Sequence, residues 1–410
     1  MNWKTENFNC ASYRIPAIVY NKGVFLAFCE ARRTSFRDYG EMDLVLRRGI
    51  LLEKQVEWEG IQVIASMRGE RTMNPVPIVD NVNKAVVVVF NTFPSNVTET
   101  DLLKEGVFNQ TVFVMKSTDN GITWSDPQDI TDTTLGKVEP AWTIFSPGPG
   151  HGIQLSSGRL IVPGNYYVKD PVEPGIWPQI KTAVLEFFDV LYGAVGTSNV
   201  FYSDDGGSSW HVGGSVPTAN AGELETGKTI HANESQVTEL DDGVICINCR
   251  TLGVEMPRVQ AFSKDDGMTF TVAQVVDKLV EPGYTGSFMP STKNFGGCQG
   301  SILGFPAPEG VPDGFSKTWA LFSNPADKEN RINLSVRLSI DGCKTWSAPW
   351  SLCPGPSAYS DLTYFEMDDG NGGINKLFAC LYECGTTDFP YEKIVFQMFT
   401  LESVLEGTKH

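Results

Sequence analysis

The chain has 410 residues, including 40 Gly and 24 Pro, and its 49 acidic and 32 basic side chains give a formal charge of −17. A chain of this length exceeds what one ordinary hydrophobic core fills, so it predicts either two domains or one closed, repetitive architecture. The negative charge argues against nucleic acid and anionic membranes as general partners, but a local cluster of cations can still bind a small anion.

The first ten residues contain neither the basic stretch nor the apolar stretch of a secretory signal peptide. The most apolar long segment, 183–195, is interrupted by Glu186 and Asp189 and is shorter than the roughly 20 residues of a membrane-spanning helix. Nine Cys without CxxC spacing are typical of free thiols in a reducing compartment. We therefore expect a protein of the cytoplasm or of a peripheral membrane face that is not secreted through a classical signal peptide.

Short apolar segments bounded by turn-forming residues predict strands along the whole chain. These segments are 23–29, 85–90, 152–163, 244–249 and 393–401. One segment, 180–195, instead resembles a helix. We expect this helix to lie in an insertion at about 168–199, where it either packs on the strands or contacts a membrane or a partner.

An eight-residue pattern occurs four times, beginning at Ser117, Ser203, Ser263 and Ser339. It reads S-x-D-x-G-x-[TS]-aromatic, with Cys343 in place of the Gly in the fourth copy. The Asp can bond to the backbone two residues on, the Gly supplies a positive φ, and the aromatic side chain packs back on the strands. The starts are 86, 60 and 76 residues apart, which predicts an all-β, six-bladed β-propeller that comprises the whole chain as one domain.

A second set of motifs, spread from residue 13 to about 401, narrows the prediction. In chain order it comprises 13–16, 28–32, Asp38, 71–75, 97–99, 148–154, 233–236, 248–250, 297–301, Arg331, 358–361 and 381–383. In this order the motifs resemble those of the animal exo-α-sialidases (neuraminidases) of the cytosolic and plasma-membrane type. The resemblance implies an enzyme that removes terminal α-linked sialic acid from glycolipids, glycoproteins or oligosaccharides. It also implies that the repeated turns are Asp boxes and that neither a cofactor nor a metal is needed.

Sialic acid carries a carboxylate on its anomeric carbon, and Arg binds such a group through two parallel hydrogen bonds. By the resemblance, Arg14, Arg250 and Arg331 form the triad that holds this carboxylate, and Glu383 orients the first of them. Each Arg lies at the end of a predicted strand, and residues so far apart in sequence can meet only in a closed ring. Taken singly, each would be read as a surface or ion-paired Arg.

The choice of nucleophile follows from charge. A carboxylate would be repelled by the carboxylate of the substrate, whereas a neutral Tyr is not, and sialidases use a Tyr. By the resemblance, Tyr359 is the nucleophile and Glu234 is its base, which a phenol with an ordinary pKa near 10 requires. Without the motif, Tyr359 would be read as a half-buried aromatic side chain.

By the resemblance, Asp38 is the acid and base of the reaction, on a loop after a strand of the first blade. It must be protonated to assist the departure of the leaving sugar, so we expect burial or a closing loop to raise its pKa. The segment from Arg32 to Asp38 is about one residue longer than the family pattern. We expect Arg32 to make a further contact with the substrate carboxylate, with Arg33 and Arg37 as alternatives.

Four further residues match family positions that line the pocket around the N-acetyl, ring and glycerol substituents. They are Met73, Asn74, Glu99 and Tyr167. The chain departs from the family pattern at Asn165, where a second Tyr is usual, and at Asn233, where the neighbour of the base is usually apolar. These departures bear on the preference for acyl groups and aglycones, not on the reaction itself.

Several other functions compete with this interpretation. Residues 222–229 satisfy the phosphate-binding pattern GxxxxGK[ST], but they follow 213–220 rather than an apolar strand, and the strand-like 234–240 follows them instead of a helix. The four His show no metal-ligand spacing, and the sequence contains no GxSxG motif of a serine hydrolase. A sialic-acid-binding propeller without catalysis would lack the acid, the Tyr or the Glu. A trans-sialidase would share the same centre and differ in acceptor binding.

Overall fold

The computed structural model describes residues 2–3 and 10–408 except 54, 107, 137, 139–140, 170–193, 218–231, 252–256, 284–295, 313, 369, 371 and 387. Over these residues the strands form four hydrogen-bonded sheets. The segment 222–229, which carries the phosphate-binding pattern, lies outside the described residues.

The chain begins with β1 (Asn2–Trp3), which belongs to the last blade. The first two blades share one nine-stranded sheet. The first blade consists of β2 (Ser12–Asn21), β3 (Val24–Arg32), β4 (Met42–Leu52), β5 (Gln55–Trp58) and β6 (Gln62–Ala65). The second consists of β7 (Glu70–Asp80), β8 (Ala85–Pro94), β9 (Thr111–Ser117) and β10 (Gln128–Asp129). The blades are continuous because β4 and β7 meet in one parallel pair, Met42 with Arg71.

The third and fourth blades are separate sheets. The third consists of β11 (Ile144–Pro147), β12 (Ile153–Gln154), β13 (Leu160–Lys169), β14 (Ala194–Ser203) and β15 (His211–Ser215). The fourth consists of β16 (Ala232–Glu239), β17 (Ile245–Thr251), β18 (Val259–Ser263) and β19 (Gln274–Val275).

The fifth and sixth blades share a seven-stranded sheet because the long strand β23 (Trp350–Asp368) belongs to both. Its first half pairs with β22 (Ile332–Ser339), beyond which lie β21 (Thr318–Pro325) and β20 (Ser301–Pro306). Its second half pairs with β24 (Ile374–Cys384), and the sheet continues through β25 (Lys393–Thr400) to β1. The first strand of the chain therefore completes the last blade.

Six clusters of buried apolar side chains lie between neighbouring blades and follow the ring. Leu26 and Val88 belong to the cluster between the first and second blades, and Ile18 and Phe365 to the one between the first and the sixth. The other four clusters join the second blade to the third, the third to the fourth, the fourth to the fifth and the fifth to the sixth. Every blade thus buries both faces against its neighbours, and the predicted all-β, six-bladed propeller is confirmed.

The four repeated turns connect the last two strands of each of the second to fifth blades. In the first copy, the N–H of Gly121 donates to Ser117 Oγ at 2.8 Å, so the N–H two residues after Asp119 is already used. The Asp119 carboxylate instead accepts from the N–H of Thr123, four residues on, at 2.9 Å. The predicted bond to the N–H two residues on is therefore wrong. Gly121 has the predicted positive φ of 78°, and Cys343 has a φ of 64° at the equivalent position of the fourth copy.

Four of the five predicted strand segments coincide with β3, β8, β17 and β25 and are confirmed. The fifth, 152–163, is wrong as a single strand, because a turn divides it into β12 and the start of β13, which pair with each other. Residues 180–193 of the predicted helix 180–195 lie outside the described residues. Its last two residues, Ala194 and Val195, begin β14, so the prediction is wrong there because pairing with Lys169 and Val168 of β13 holds them extended. The ends of the predicted insertion at 168–199 are accordingly strands.

The described ranges contain three α-helices, α1 (Glu99–Glu105), α2 (Thr131–Thr134) and α3 (Leu401–Thr408), and a short 3-10 helix at Asp241–Gly243. Thr98 and Asp101 start α1 with a reciprocal capping box, in which each side chain accepts from the backbone N–H of the other. Leu102 of α1 is buried in one cluster with Met73 of β7 and Tyr167 of β13, so the helix packs against the second and third blades. None of the helices in the described part of the chain is long and apolar enough to cross a membrane.

Candidate active site

The predicted site residues lie at one edge of the sheets, because antiparallel pairing brings the start of one strand beside the end of the next. Arg14, near the start of β2, is paired with Glu30, near the end of β3. Tyr359 in β23 donates its backbone N–H to the side chain of Glu383, near the end of β24, at 3.1 Å. The radial arrangement of the blades then turns these strand ends toward a common centre.

The three predicted Arg residues meet around one aromatic ring. The guanidinium carbons of Arg14 and Arg331 lie 5.2 and 5.6 Å from the centre of the Tyr359 ring. Arg250 Nη1 donates to the Tyr359 hydroxyl at 3.1 Å. The first, fourth and fifth blades each contribute one cation, so three guanidinium groups converge on this ring although the chain has a net charge of −17. A planar carboxylate fits such a cluster.

Glu383 is fully buried and holds two parts of the pocket together. Its carboxylate accepts from Arg14 Nε and from the N–H of Ile15, both at 3.0 Å, and from the N–H of Tyr359. Ile15 has a left-handed φ of 57° at an irregularity in the β2–β3 pairing, where its N–H leaves the ladder and reaches the carboxylate. One buried charge therefore positions both a cation of the cluster and the backbone of Tyr359.

The hydroxyl of Tyr359 donates to the carboxylate of Glu234. Glu234 is also bound by Arg250 Nη1 at 2.6 Å. Burial and, next, the charge of Glu234 raise the pKa of Tyr359 well above its ordinary value, against the opposing effect of the three Arg residues. The phenol is consequently neutral in the resting state, with a carboxylate placed to take its proton.

Asp38 lies in the loop between β3 and β4 and is 62% exposed, with its Oδ1 2.8 Å from Arg32 Nη2. Removal from water would raise its pKa, but the charges of Arg32, Arg14 and Arg71 outweigh this and lower the pKa to about 2. The expectation of a raised pKa is therefore wrong for this state, because cations from three different strands surround the carboxylate. Arg71 Nη1 also donates to the backbone carbonyl of Asp38 at 2.9 Å and fixes the loop.

Of the three candidates for the further Arg contact, the structure places Arg32 in the pocket. Arg32 is fully buried and is bound to Glu30 at 2.7 Å as well as to Asp38. Arg33 is 46% exposed and paired with Asp43 at 2.8 Å. Arg37 is exposed on the same loop.

The wall of the pocket opposite the Arg cluster comes from the second and third blades. Met73 packs in the same buried cluster as Tyr167, and the N–H of Asn74 donates to Glu30 Oε1 at 2.9 Å. Removal from water and the charges of Asp38 and Glu234 raise the pKa of Glu99, the first residue of α1, whereas a hydrogen bond from Tyr167 lowers it. All four predicted wall residues thus lie in or beside the site.

The two residues that depart from the family pattern are both buried. Asn233 Nδ2 donates to the Tyr167 hydroxyl at 2.6 Å, and its Oδ1 accepts from the N–H of Glu234 at 2.6 Å. This amide connects the pocket wall to the residue that binds the Tyr359 hydroxyl. Asn165 Nδ2 reaches the carbonyl of Ser146 at 3.5 Å and lies within β13.

The chain is similar to known proteins over most of its length. Residues 23–372 match the family described as the BNR repeat-like domain. Sialidase-2 of Cricetulus griseus is 35% identical over 406 residues, which covers 95% of this chain and 93% of the relative. Sialidase-3 of Homo sapiens is 32% identical over 433 residues, with 98% and 92% covered. The chain belongs to the animal sialidase family.

The fold of this sialidase also matches solved structures. The Hadza microbial sialidase Hz136 superposes with a TM-score of 0.70 at 21% identity, over 98% of this chain and 69% of that one. At this identity the likeness concerns the fold. Together with the family membership, it identifies the chain as an exo-α-sialidase built on a propeller.

Three residues of the sialidase site were assigned no role from the sequence. Glu30 and Arg71 lie in the quoted motifs, but only the structure shows that they hold Arg32 and the Asp38 loop. Tyr391 lies outside the motifs, in the loop between β24 and β25, and its hydroxyl accepts from Arg331 Nη1 at 2.8 Å. The sequence signal for it would have been an aromatic pair around a Pro just after Glu383. In the described ranges, no three His, Cys, Asp or Glu side chains are grouped to hold a metal ion.

Proposed function

We propose that this sialidase is a retaining enzyme that uses Tyr359 as its nucleophile. The observation that carries the proposal is the contact of the buried Tyr359 hydroxyl with the Glu234 carboxylate inside the cluster of three Arg residues. A neutral phenol can approach an anomeric carbon that bears a carboxylate, and the adjacent base makes it nucleophilic.

In the proposed complex, the substrate carboxylate binds to Arg14, Arg250 and Arg331. Arg14 is already oriented by Glu383, so little reorganisation is needed on that side. The Arg250 hydrogen bond to the Tyr359 hydroxyl also stabilises the phenolate character that develops during attack. Met73, Asn74, Glu99 and Tyr167 then surround the other substituents of the sugar.

The proposed reaction has two steps with balanced protons. In the first, the Tyr359 oxygen attacks the anomeric carbon and gives its proton to Glu234, while the glycosidic bond breaks and the leaving oxygen takes a proton from Asp38. In the second, water attacks the same carbon and gives a proton to Asp38, and the Tyr359 oxygen leaves with the proton held by Glu234. Two inversions at one carbon retain its configuration.

The low pKa of Asp38 in the free enzyme means that substrate binding has to change its proton affinity. The substrate carboxylate offsets part of the positive charge that now lowers this pKa, and the sugar displaces water from the exposed face of Asp38. Both effects favour the protonated form. Asp38 therefore becomes a proton donor in the complex rather than in the free enzyme.

The test of the proposed nucleophile is Tyr359→Phe. Turnover of an aryl α-sialoside should fall by at least about 10³-fold, while binding of free sialic acid stays measurable by calorimetry because the Arg cluster is intact. A fluorinated sialoside that traps the glycosyl-enzyme should add its mass to the peptide containing Tyr359 in the wild type and to no peptide in the variant. Labelling of any other residue would contradict the proposal.

The natural substrates belong to the proposal as well. We propose sialylated glycolipids, glycoproteins or oligosaccharides, processed in the cytoplasm or at a peripheral membrane face by a single-domain chain. Rates on ganglioside vesicles and on soluble sialyl-oligosaccharides, each with and without detergent, separate these classes. A chain that transfers sialic acid to an added sugar acceptor faster than to water would instead be a trans-sialidase.

A further inference from the structure

Three aromatic rings from two loops meet beside the Arg cluster. Phe36 lies in the loop between β3 and β4, and Phe389 and Tyr391 lie in the loop between β24 and β25. The ring centres of Phe36 and Tyr391 are 5.7 Å apart with the planes nearly parallel at 17°. Phe389 meets both edge-on, with its ring centre 4.8 Å from that of Phe36 and 5.2 Å from that of Tyr391. We call these three rings the aromatic platform.

Both loops are held in place by hydrogen bonds. Arg32 Nη1 donates to the backbone carbonyl of Phe36 at 2.5 Å, and the same guanidinium binds Asp38 two residues later. The second loop is closed by Thr386, whose N–H and hydroxyl donate to Glu392 Oε2 at 3.0 and 2.8 Å. The aromatic platform is therefore preorganised, which reduces the entropy that a ligand would lose on binding.

The aromatic platform extends from the Arg cluster to solvent. At its inner end, the Tyr391 ring centre lies 4.2 Å from the guanidinium carbon of Arg14, and its hydroxyl accepts from Arg331. At its outer end, Phe36 is 38% exposed. The same buried Arg32 holds the backbone of Phe36 and the side chain of Asp38, so one loop presents an exposed aromatic ring together with this carboxylate.

We infer that the aromatic platform binds the neutral sugar ring that is linked to the sialic acid of the substrate. The inference rests on the proposed function and extends it to the leaving group. Because Asp38 must reach the glycosidic oxygen, the sugar beyond that oxygen has to lie on the Asp38 side of the pocket, where Phe36 is exposed. The C–H groups on one face of a pyranose are polarised by the neighbouring oxygens, and they pack well on the electron-rich face of an aromatic ring.

The dimensions and charges of the aromatic platform favour this occupant over a lipid chain or a charged group. Phe389 and Tyr391 pack against Phe36 and support it, so the exposed surface is that of the Phe36 ring, which matches one pyranose and not a long acyl chain. The adjacent cations are engaged inward, Arg14 with Glu383 and Arg32 with Glu30 and Asp38. A neutral ring can therefore bind without displacing an ion pair.

The test compares two substrates of the full-length enzyme. One is sialyllactose, which places a galactose on the aromatic platform, and the other is methyl α-sialoside, whose leaving group is too small to reach it. Phe36→Ala should lower kcat/KM for sialyllactose by about five- to tenfold relative to methyl α-sialoside. The inhibition constant of free sialic acid, which has no leaving group, should stay unchanged.

Two further variants keep the result interpretable. Phe36→Tyr retains an aromatic face and should restore the wild-type ratio between the two substrates. Phe315→Ala removes a 60% exposed Phe from the loop between β20 and β21 and should leave the ratio as it is. An equal loss on both substrates in Phe36→Ala, or an unchanged ratio in that variant, would overturn the inference. A wild-type enzyme that cleaves neither substrate would instead contradict the proposed function, independently of the aromatic platform.

Discussion

Glu383 and Asp38 both lie beside the Arg cluster, but one is buried and the other is exposed. The difference shows which parts of the site are fixed. Glu383 is fully buried and accepts from one guanidinium and two backbone N–H groups. Asp38 is 62% exposed, on a loop, with its side chain bound by Arg32. The buried carboxylate cannot change partners without breaking the fold around it, whereas the exposed one can exchange a proton with a ligand. We infer that Glu383 stabilises the site and that Asp38 takes part in the reaction.

The largest effect on stability is expected from Glu383→Ala. Its removal leaves Arg14 buried without its counter-charge, which should lower the free energy of unfolding by about 3–5 kcal/mol. Turnover should fall by at least about 10²-fold because the backbone of Tyr359 loses the same anchor. Urea unfolding and single-turnover kinetics measure the two losses.

The matched control for this variant is Glu366→Ala, since Glu366 also lies in the last blade but is 42% exposed. Its free energy of unfolding should stay within about 1 kcal/mol of wild type. If Glu383→Ala behaved like this control, the buried carboxylate would not be the fixed half of the site.

A smaller effect on stability and a more selective effect on the rate are expected from Asp38→Ala. Stability should change by less than about 1 kcal/mol, since the pair with Arg32 is exposed on one side and Arg32 keeps Glu30 as a partner. The rate should fall by about 10²- to 10⁴-fold on sialyllactose, whose leaving oxygen needs a proton. On an aryl sialoside, whose phenolate leaves without one, the loss should be at least about tenfold smaller.

The pH dependence of the wild type tests the same residue. The profile of kcat/KM reports the free enzyme, in which the pKa of Asp38 is about 2. Its protonated fraction falls tenfold for each pH unit above that value, so kcat/KM for sialyllactose should decline as pH rises through the neutral range. In Asp38→Ala this dependence should disappear. A flat wild-type profile would show that Asp38 is not the proton donor.

Much of the fold was predictable because its signals are local. The repeat of the turn beginning at Ser117 depends on residues within eight positions, and interblade packing then follows from alternating apolar strands. The helix expected over 180–195 is wrong at Ala194 and Val195 for the opposite reason. An apolar segment is compatible with a helix or a strand, and a partner strand about 25 residues away decides between them at these two positions.

The site was predictable in its residues but not in its electrostatics. Family motifs identify Arg14 and Asp38, yet the pKa of Asp38 depends on how closely cations from β2, β3 and β7 approach it. A sequence contains no distances, so burial was expected to prevail over charge, and it does not. Tyr391 was missed for a related reason, because its contact with Arg331 spans 60 residues and two strand connections.

The smallest effect on turnover is expected from Arg33→Ala. This variant separates the effect of where a guanidinium lies from the effect of its charge. Arg33 adjoins Arg32 in sequence, but it is 46% exposed and paired with Asp43, away from the pocket. Turnover should stay within about twofold of wild type. The free energy of unfolding should fall by about 1–3 kcal/mol, because the buried carboxylate of Asp43 loses both of its hydrogen bonds from Arg33. Arg32→Ala, by comparison, removes the side chain that binds Asp38 and the carbonyl of Phe36, and should lose at least about 10²-fold in kcat/KM. An Arg33 variant as impaired as the Arg32 variant would mean that the net charge of this loop, rather than the contact geometry of one buried guanidinium, determines the state of Asp38.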